Sequence, residues 1–331
     1  MIGRHIFVFL FVLLVAAGQY SYSPFPMQLE HARLVRGLDG VVSVPIIPNE
    51  KLNVVNHDKE FWREIVKNRY AIPQGQPVFP LVRELSGYLG STDSELRDDL
   101  TYSILDVWIL YKNALTVDEL SSLSIEWQGN LRSGIGESGT DTIFRRSYSA
   151  LCLAILAERN LKERFLSDAQ YRVLLDAAFA YLKDERDLRG FDPAKGWIHA
   201  TAHTADLLGF LASDARFTRE GQSRLLQAVA ERLSSAHQIF SYGEQDRLAA
   251  AISSIVVRSD FDSAGFDGWL KLLAETDAKL WKDSPPQDAL LKTFENNNYF
   301  LQALVARLST KTAAQGVTHV MEQVNAVMAK R

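Results

Sequence analysis

The chain has 331 residues, of which 47% are hydrophobic and 23% charged, with a net charge of −4 and one cysteine. That balance provides for a sizeable core and excludes an internal disulfide framework. It also lacks the dominant basic face that nucleic-acid binding requires, so no nucleic-acid partner is expected.

The amino terminus reads as an address. Arg4 and His5 precede an apolar run from Ile6 to Ala17, and Ala16, Ala17 and Gly18 offer small residues for cleavage. A spanning helix needs about 20 apolar residues, so the layout predicts a secretory signal over residues 1–18. Export to the periplasm or medium follows, with no stable membrane insertion after cleavage. Residues 19–56 hold Gly37, Gly40, Pro45 and Pro48 without a helical period and predict an irregular leader.

Residues 57–331 read as one all-helical body. A helix is expected over 58–69, burying Phe61, Ile65 and Val66, and Pro73 ends it. Thr92-Asp93-Ser94-Glu95 has the form of a capping box, as do Thr116-Val117-Asp118-Glu119 and Ser167-Asp168-Ala169-Gln170. Behind the first of these, Leu100, Ile104, Leu105, Trp108 and Tyr111 recur at three and four. Gly129, Gly134, Gly136 and Gly139 mark a loop before a helix around 144–159. Within it Cys152, between Leu151 and Leu153, reads as a small buried hydrophobe. Pro285 and Pro286 behind Ser284 open a later helix. Trp62, Trp108, Trp127, Trp269 and Trp281 are spaced singly and expected to fill the core.

Strand signals are almost absent, and the β-branched run 253–257 has helical flanks. Helix pairs recur at roughly 40 residues, which suits stacked helical hairpins in a HEAT- or armadillo-like superhelix. A closed α/α toroid is the alternative.

The richest stretch runs from Asp184 to Leu211. A charged block, Asp184 to Arg189, meets a turn at Gly190-Phe191-Asp192-Pro193, and a helix is expected from Lys195 to Ala212. On that helix His199, His203 and Asp206 fall at i, i+4 and i+7, within about 60° of arc. Three readings apply. The polar residues clamp neighbouring helices. Alternatively His199, His203 and Asp206 hold a divalent metal, although no cofactor is predicted. Thirdly, a histidine paired with Asp206, Glu185 or Glu244 moves a proton.

Gly196-Trp197, His199, Ala202-His203 and Ala205-Asp206 follow the pattern Gly-Trp-x-His-x-x-Ala-His-x-Ala-Asp. Leu96-Arg97-Asp98, Phe144 to Tyr148, Glu185 to Gly190 and Gly243 to Leu248 accompany it. The set resembles a bacterial family known only as domain of unknown function 2785, over roughly residues 60 to 275. The resemblance implies an all-helical, repeat-like protein and carries no activity. It also points to one shared cleft lined by Arg145, Arg146, Asp187, Arg189, Trp197, Asp246 and Arg247. The expected function is an exported scaffold that binds a protein or small polar ligand there. The alternative is a hydrolase or lyase, metal-dependent or not, that uses His199 and His203 with acidic support.

Overall fold

A computed structural model describes residues 57–282, 287–312 and 315–330. The signal 1–18, the leader 19–56, the Ser284-Pro285-Pro286 helix start and the Trp281 side chain lie outside that description. Among the described residues the chain is helical apart from one minimal hairpin.

The elements are α1 (Lys59–Lys67), α2 (Val78–Tyr88), α3 (Ser103–Asp106), α4 (Val117–Asn130), α5 (Thr142–Lys162) and α6 (Asp168–Asp184). Then follow β1 (Phe191–Asp192), β2 (Gly196–Trp197), α7 (Ala200–Ser213), α8 (Arg219–Ser235) and α9 (Glu244–Val256). The chain continues with α10 (Ser263–Asp277), α11 (Asp288–Ser309) and α12 (Gln315–Met328). Two π-helical segments, Glu95–Tyr102 and Val107–Tyr111, flank α3.

The starts of α4 and α6 obey the sequence. Thr116 and Glu119 form a reciprocal box, as do Ser167 and Gln170. The 92–95 box does not form: Asp93 Oδ1 accepts from Leu96 N at 3.1 Å. Glu95 turns away to Lys59 and Arg63, because two cations on α1 outcompete one backbone donor. On α1 the buried residues are Trp62 and Ile65.

The helices pack in two rows. α5 lies against α7, α7 against α9 and α9 against α11, while α6 lies against α8, and α8 and α12 both against α10. Cross-contacts join α4 to α5, α6 to α7, α8 to α9 and α10 to α11. The first row is the core: α5 buries Leu151, Cys152, Leu153, Ala154, Ile155 and Leu156 in succession. Each fully buried aliphatic side chain of this kind contributes about 1.5–3 kcal/mol.

α7 is buried nearly all round, and its small residues set its spacing. A Cβ added at Gly209 would already stand 3.5 Å from the Ala251 Cα of α9. Trp62, Trp108 and Trp127 are fully buried and Trp269 nearly so. Among the described residues no helix is long and apolar enough to cross a membrane.

Candidate functional site

The segment between α6 and α7 holds the site, and buried charge fixes its course. Glu185, at the end of α6, turns its carboxylate onto Arg146 of α5, with Nε–Oε2 2.7 Å and Nη2–Oε1 3.2 Å. Both side chains are sealed from solvent. Arg146 Nη1 also donates to the Ser133 oxygen at 2.9 Å. Two residues on, Asp187 accepts from Gly139 N at 2.9 Å and from the Arg189 guanidinium. These ties fasten the glycine-rich loop 133–141 to the chain. Glu185 and Asp187 therefore serve Arg146 and Arg189, and neither orients a histidine.

The turn that follows is a hairpin, and it overturns the expected helix start at Lys195. Phe191 pairs with Trp197 and Asp192 with Gly196. Asp192 Oδ1 closes the turn by accepting from Ala194 N at 2.8 Å and Lys195 N at 3.0 Å. Gly196 takes φ +81°, a conformation that disfavours any side chain. Below the hairpin lies Arg97, fully buried, whose Nη2 donates to the Lys195 oxygen at 2.7 Å. Its guanidinium stacks over the rings of Phe144 (4.2 Å) and Tyr148 (4.6 Å). The strands are two residues long, too short to leave an alternating pattern.

α7 consequently begins at Ala200, with His199 ahead of it in left-handed backbone at φ 49°. His199 and His203 do not share a helix face. His199 Nε2 lies 3.0 Å from the Tyr242 oxygen and so carries the proton, since a carbonyl only accepts. His203 Nδ1 lies 2.8 Å from Ser147 Oγ, and Ser147 gives its own proton to the Ile198 oxygen. His203 therefore donates from Nδ1. The rings meet edge to face, 5.7 Å apart, with their bonded nitrogens engaged on different elements. Among the described residues no group of three or more His, Cys, Asp and Glu side chains is arranged to hold a metal ion.

Asp206 faces Arg247 of α9, with Oδ2 2.9 Å from Nη2. The contact is an ion pair by distance, off the line of a hydrogen bond, since Asp206 Oδ2 accepts none. Burial lifts the Asp206 carboxyl to about 7 despite Arg247. Burial also lowers His199 to about 4 and His203 well below its usual value, with Arg247 opposing charge on both rings. Both histidines are thus neutral near pH 7. Glu244 is buried, accepts from Tyr242 N at 2.9 Å through Oε2, and leaves Oε1 without a partner. Burial raises its carboxyl as well.

Around this closed polar base the surface is aromatic. Trp197 stacks on His199 with ring centroids 4.4 Å apart. Phe191 stands 4.9 Å from Trp197, and Tyr242 stands 6.2 Å from both. Phe191, Trp197 and Tyr242 are 38%, 40% and 46% exposed. Gly190 makes this possible: a Cβ there would meet Tyr242 Cδ2 at 2.4 Å and Glu244 Oε1 at 2.7 Å.

Of the residues expected in one cleft, Trp197, His199, His203, Asp206, Glu244 and Arg247 come together. Glu185, Arg146, Asp187 and Arg189 form a neighbouring network. Arg145 reaches instead to the Gly87 oxygen of α2 at 3.2 Å, and Asp246 pairs with Arg307 of α11 at 2.6 Å. Phe191 and Tyr242 were not expected; each is a lone aromatic residue in sequence, and only the fold brings them to Trp197.

A family model with the description "Protein of unknown function (DUF2785)" matches residues 131–306. No curated protein and no solved structure matches the chain.

Proposed function

Since the chain belongs to the DUF2785 family, whose description carries no activity, we propose its function from the site: a binding scaffold whose ligand docks on the Phe191–Trp197–Tyr242 platform. The observation that carries this is three large rings held in mutual contact, each more than a third exposed, over a base of bonded polar groups. Folding alone gives no reason to leave such rings in water. Aromatic residues with a polar handle are those that dominate binding surfaces. The buried base keeps the platform rigid, which lowers the entropy lost on binding.

Binding is favoured over a hydrolase or lyase by the state of the polar groups. His203, Asp206 and Glu244 are buried, and His199 spends its proton on a main-chain oxygen. We read the two rows of helices as a HEAT- or armadillo-like superhelix, supported by the succession α5, α7, α9, α11, rather than as a closed toroid. We infer export from residues 1–18, so the ligand is met outside the cytoplasm; a mature form starting near residue 19 tests this.

The platform is tested by soaking crystals with indole- and phenol-type fragments. Fragments are expected against Trp197 and Tyr242 and are lost in Trp197→Ala. Occupancy only at other surfaces would refute the reading.

A further inference from the structure

A separate feature lies where the carboxy-terminal turns of α6 and α8 enclose a cavity of about 260 Å³. Its wall carries three cations, Lys183, Arg186 and Arg232, against one carboxylate, Glu231, with Ser234 and Ser235 beside them. Glu231 Oε1 already accepts from Gln227 Nε2 at 2.8 Å. Lys183 and Arg186 are exposed, whereas Arg232 is 5% exposed.

Arg232 is the anomaly. Its Nη1 donates to the main-chain oxygen of Glu185 at 3.1 Å, and its Nε has no acceptor. The Glu185 carboxylate is committed to Arg146, and among the described residues Arg232 forms no ion pair. Burial pulls its guanidinium down to about 10 despite the nearby Glu185 and Asp184 carboxylates, and Arg186 adds a like charge. A buried guanidinium that touches no carboxylate is costly, and it normally finds a direct partner. The negative ends of α6 and α8, about half a charge each, favour cations there and oppose an anion, so the three cations must outweigh them. Two guanidinium forks, an ammonium and the Ser235 hydroxyl supply donors for a tetrahedral oxyanion, while the Ser234 hydroxyl already donates to the Glu231 main-chain oxygen.

We propose that this cavity binds a phosphate-type oxyanion, as inorganic phosphate or as the phosphate monoester of a small organic molecule. The site is independent of the aromatic platform. Occupancy would give Arg232 a direct ion-pair partner and tie α6 to α8 just before the segment that leads to the hairpin.

Calorimetric titration with inorganic phosphate and with methyl phosphate, at constant ionic strength set by chloride, tests the assignment. Saturable binding of inorganic phosphate identifies the free anion. Binding of methyl phosphate alone identifies the ester. Exposed Lys183 and Arg186 can be replaced without disturbing the core, and Lys183→Ala with Arg186→Ala should weaken either ligand by about tenfold or more. Arg232→Gln, where it folds, should abolish binding. Absence of saturable heat with both anions, or unchanged affinity in the surface double variant, would overturn the proposal.

Discussion

The imidazole of His199 is bonded through Nε2 to the main-chain oxygen of Tyr242 at 3.0 Å, which couples the start of α7 to the residue ahead of α9. Its other face carries the Trp197 ring, so one side chain fixes two members of the platform. The left-handed backbone at His199 is what turns the ring outward from the helix axis, a geometry tolerated by His better than by branched residues. Replacing His199 by Ala should free Trp197 and Tyr242 without opening the core. The loss of stability is expected at about 1 kcal/mol, with loss of ligand binding. Denaturant unfolding and fragment titration read the two effects separately.

Gly190→Ala should act on the platform from below. The added methyl has no room between Tyr242 and Glu244, so Tyr242 must move. Overpacking of this kind costs about 1–3 kcal/mol. A crystal structure of the variant is expected to show Tyr242 displaced from Trp197; an unmoved ring would refute the packing argument.

The Arg146–Glu185 pair is a clamp, sealed from solvent on both sides. Removing one partner strands the other charge, which costs about 3–5 kcal/mol. Glu185→Gln should therefore lower the urea midpoint strongly. The exposed Lys67–Glu64 pair is the control, since solvent screens it and its removal should leave the midpoint nearly unchanged. Equal effects at the two sites would contradict the burial argument.

The pH dependence follows from opposed shifts. His199 and His203 have folded values below 6.5, so their contribution is fully present above about 6.5 and is lost as pH falls toward about 4. Asp206 is raised to about 7, so its protonated form favours the fold, and it adds stability as pH falls from about 7 toward 4. The two contributions partly cancel in the native protein. In Asp206→Asn only the histidine contribution remains, and stability should fall more steeply between pH 7 and pH 5. The gap between variant and native protein should widen by at most roughly 1.4 kcal/mol per pH unit. Parallel stability curves would show that Asp206 is ionised throughout.

Much of the fold was legible. The reciprocal boxes at Thr116 and Ser167, the buried Cys152 and the singly spaced Trp62, Trp108, Trp127 and Trp269 declare themselves through local rules that the packing respects. The hairpin was not legible, because two-residue strands carry no alternation and the Ala-rich run after Gly196 reads as helix back to Lys195. The π-helical segments around α3 pack against α1, α2 and α5, and no local pattern in the sequence marks them. At the site, His199, His203 and Asp206 stand out as polar residues in an apolar run. Their partners Ser147 and Tyr242, for His203 and His199, are distant in sequence and identifiable only in three dimensions. The box at Thr92 failed because Asp93 took the capping role and Glu95 had better partners on another helix.

Ligand binding at the platform can be followed through the indole N–H resonances during titration with a soluble indole- or phenol-type fragment. Trp62, Trp108 and Trp127 are buried and serve as internal controls, while the Trp197 ring is exposed. A saturable shift of the Trp197 signal, identified by its absence in Trp197→Ala, is expected, with the buried signals unmoved. A Trp197 resonance that stays in place while other indole signals shift would contradict it.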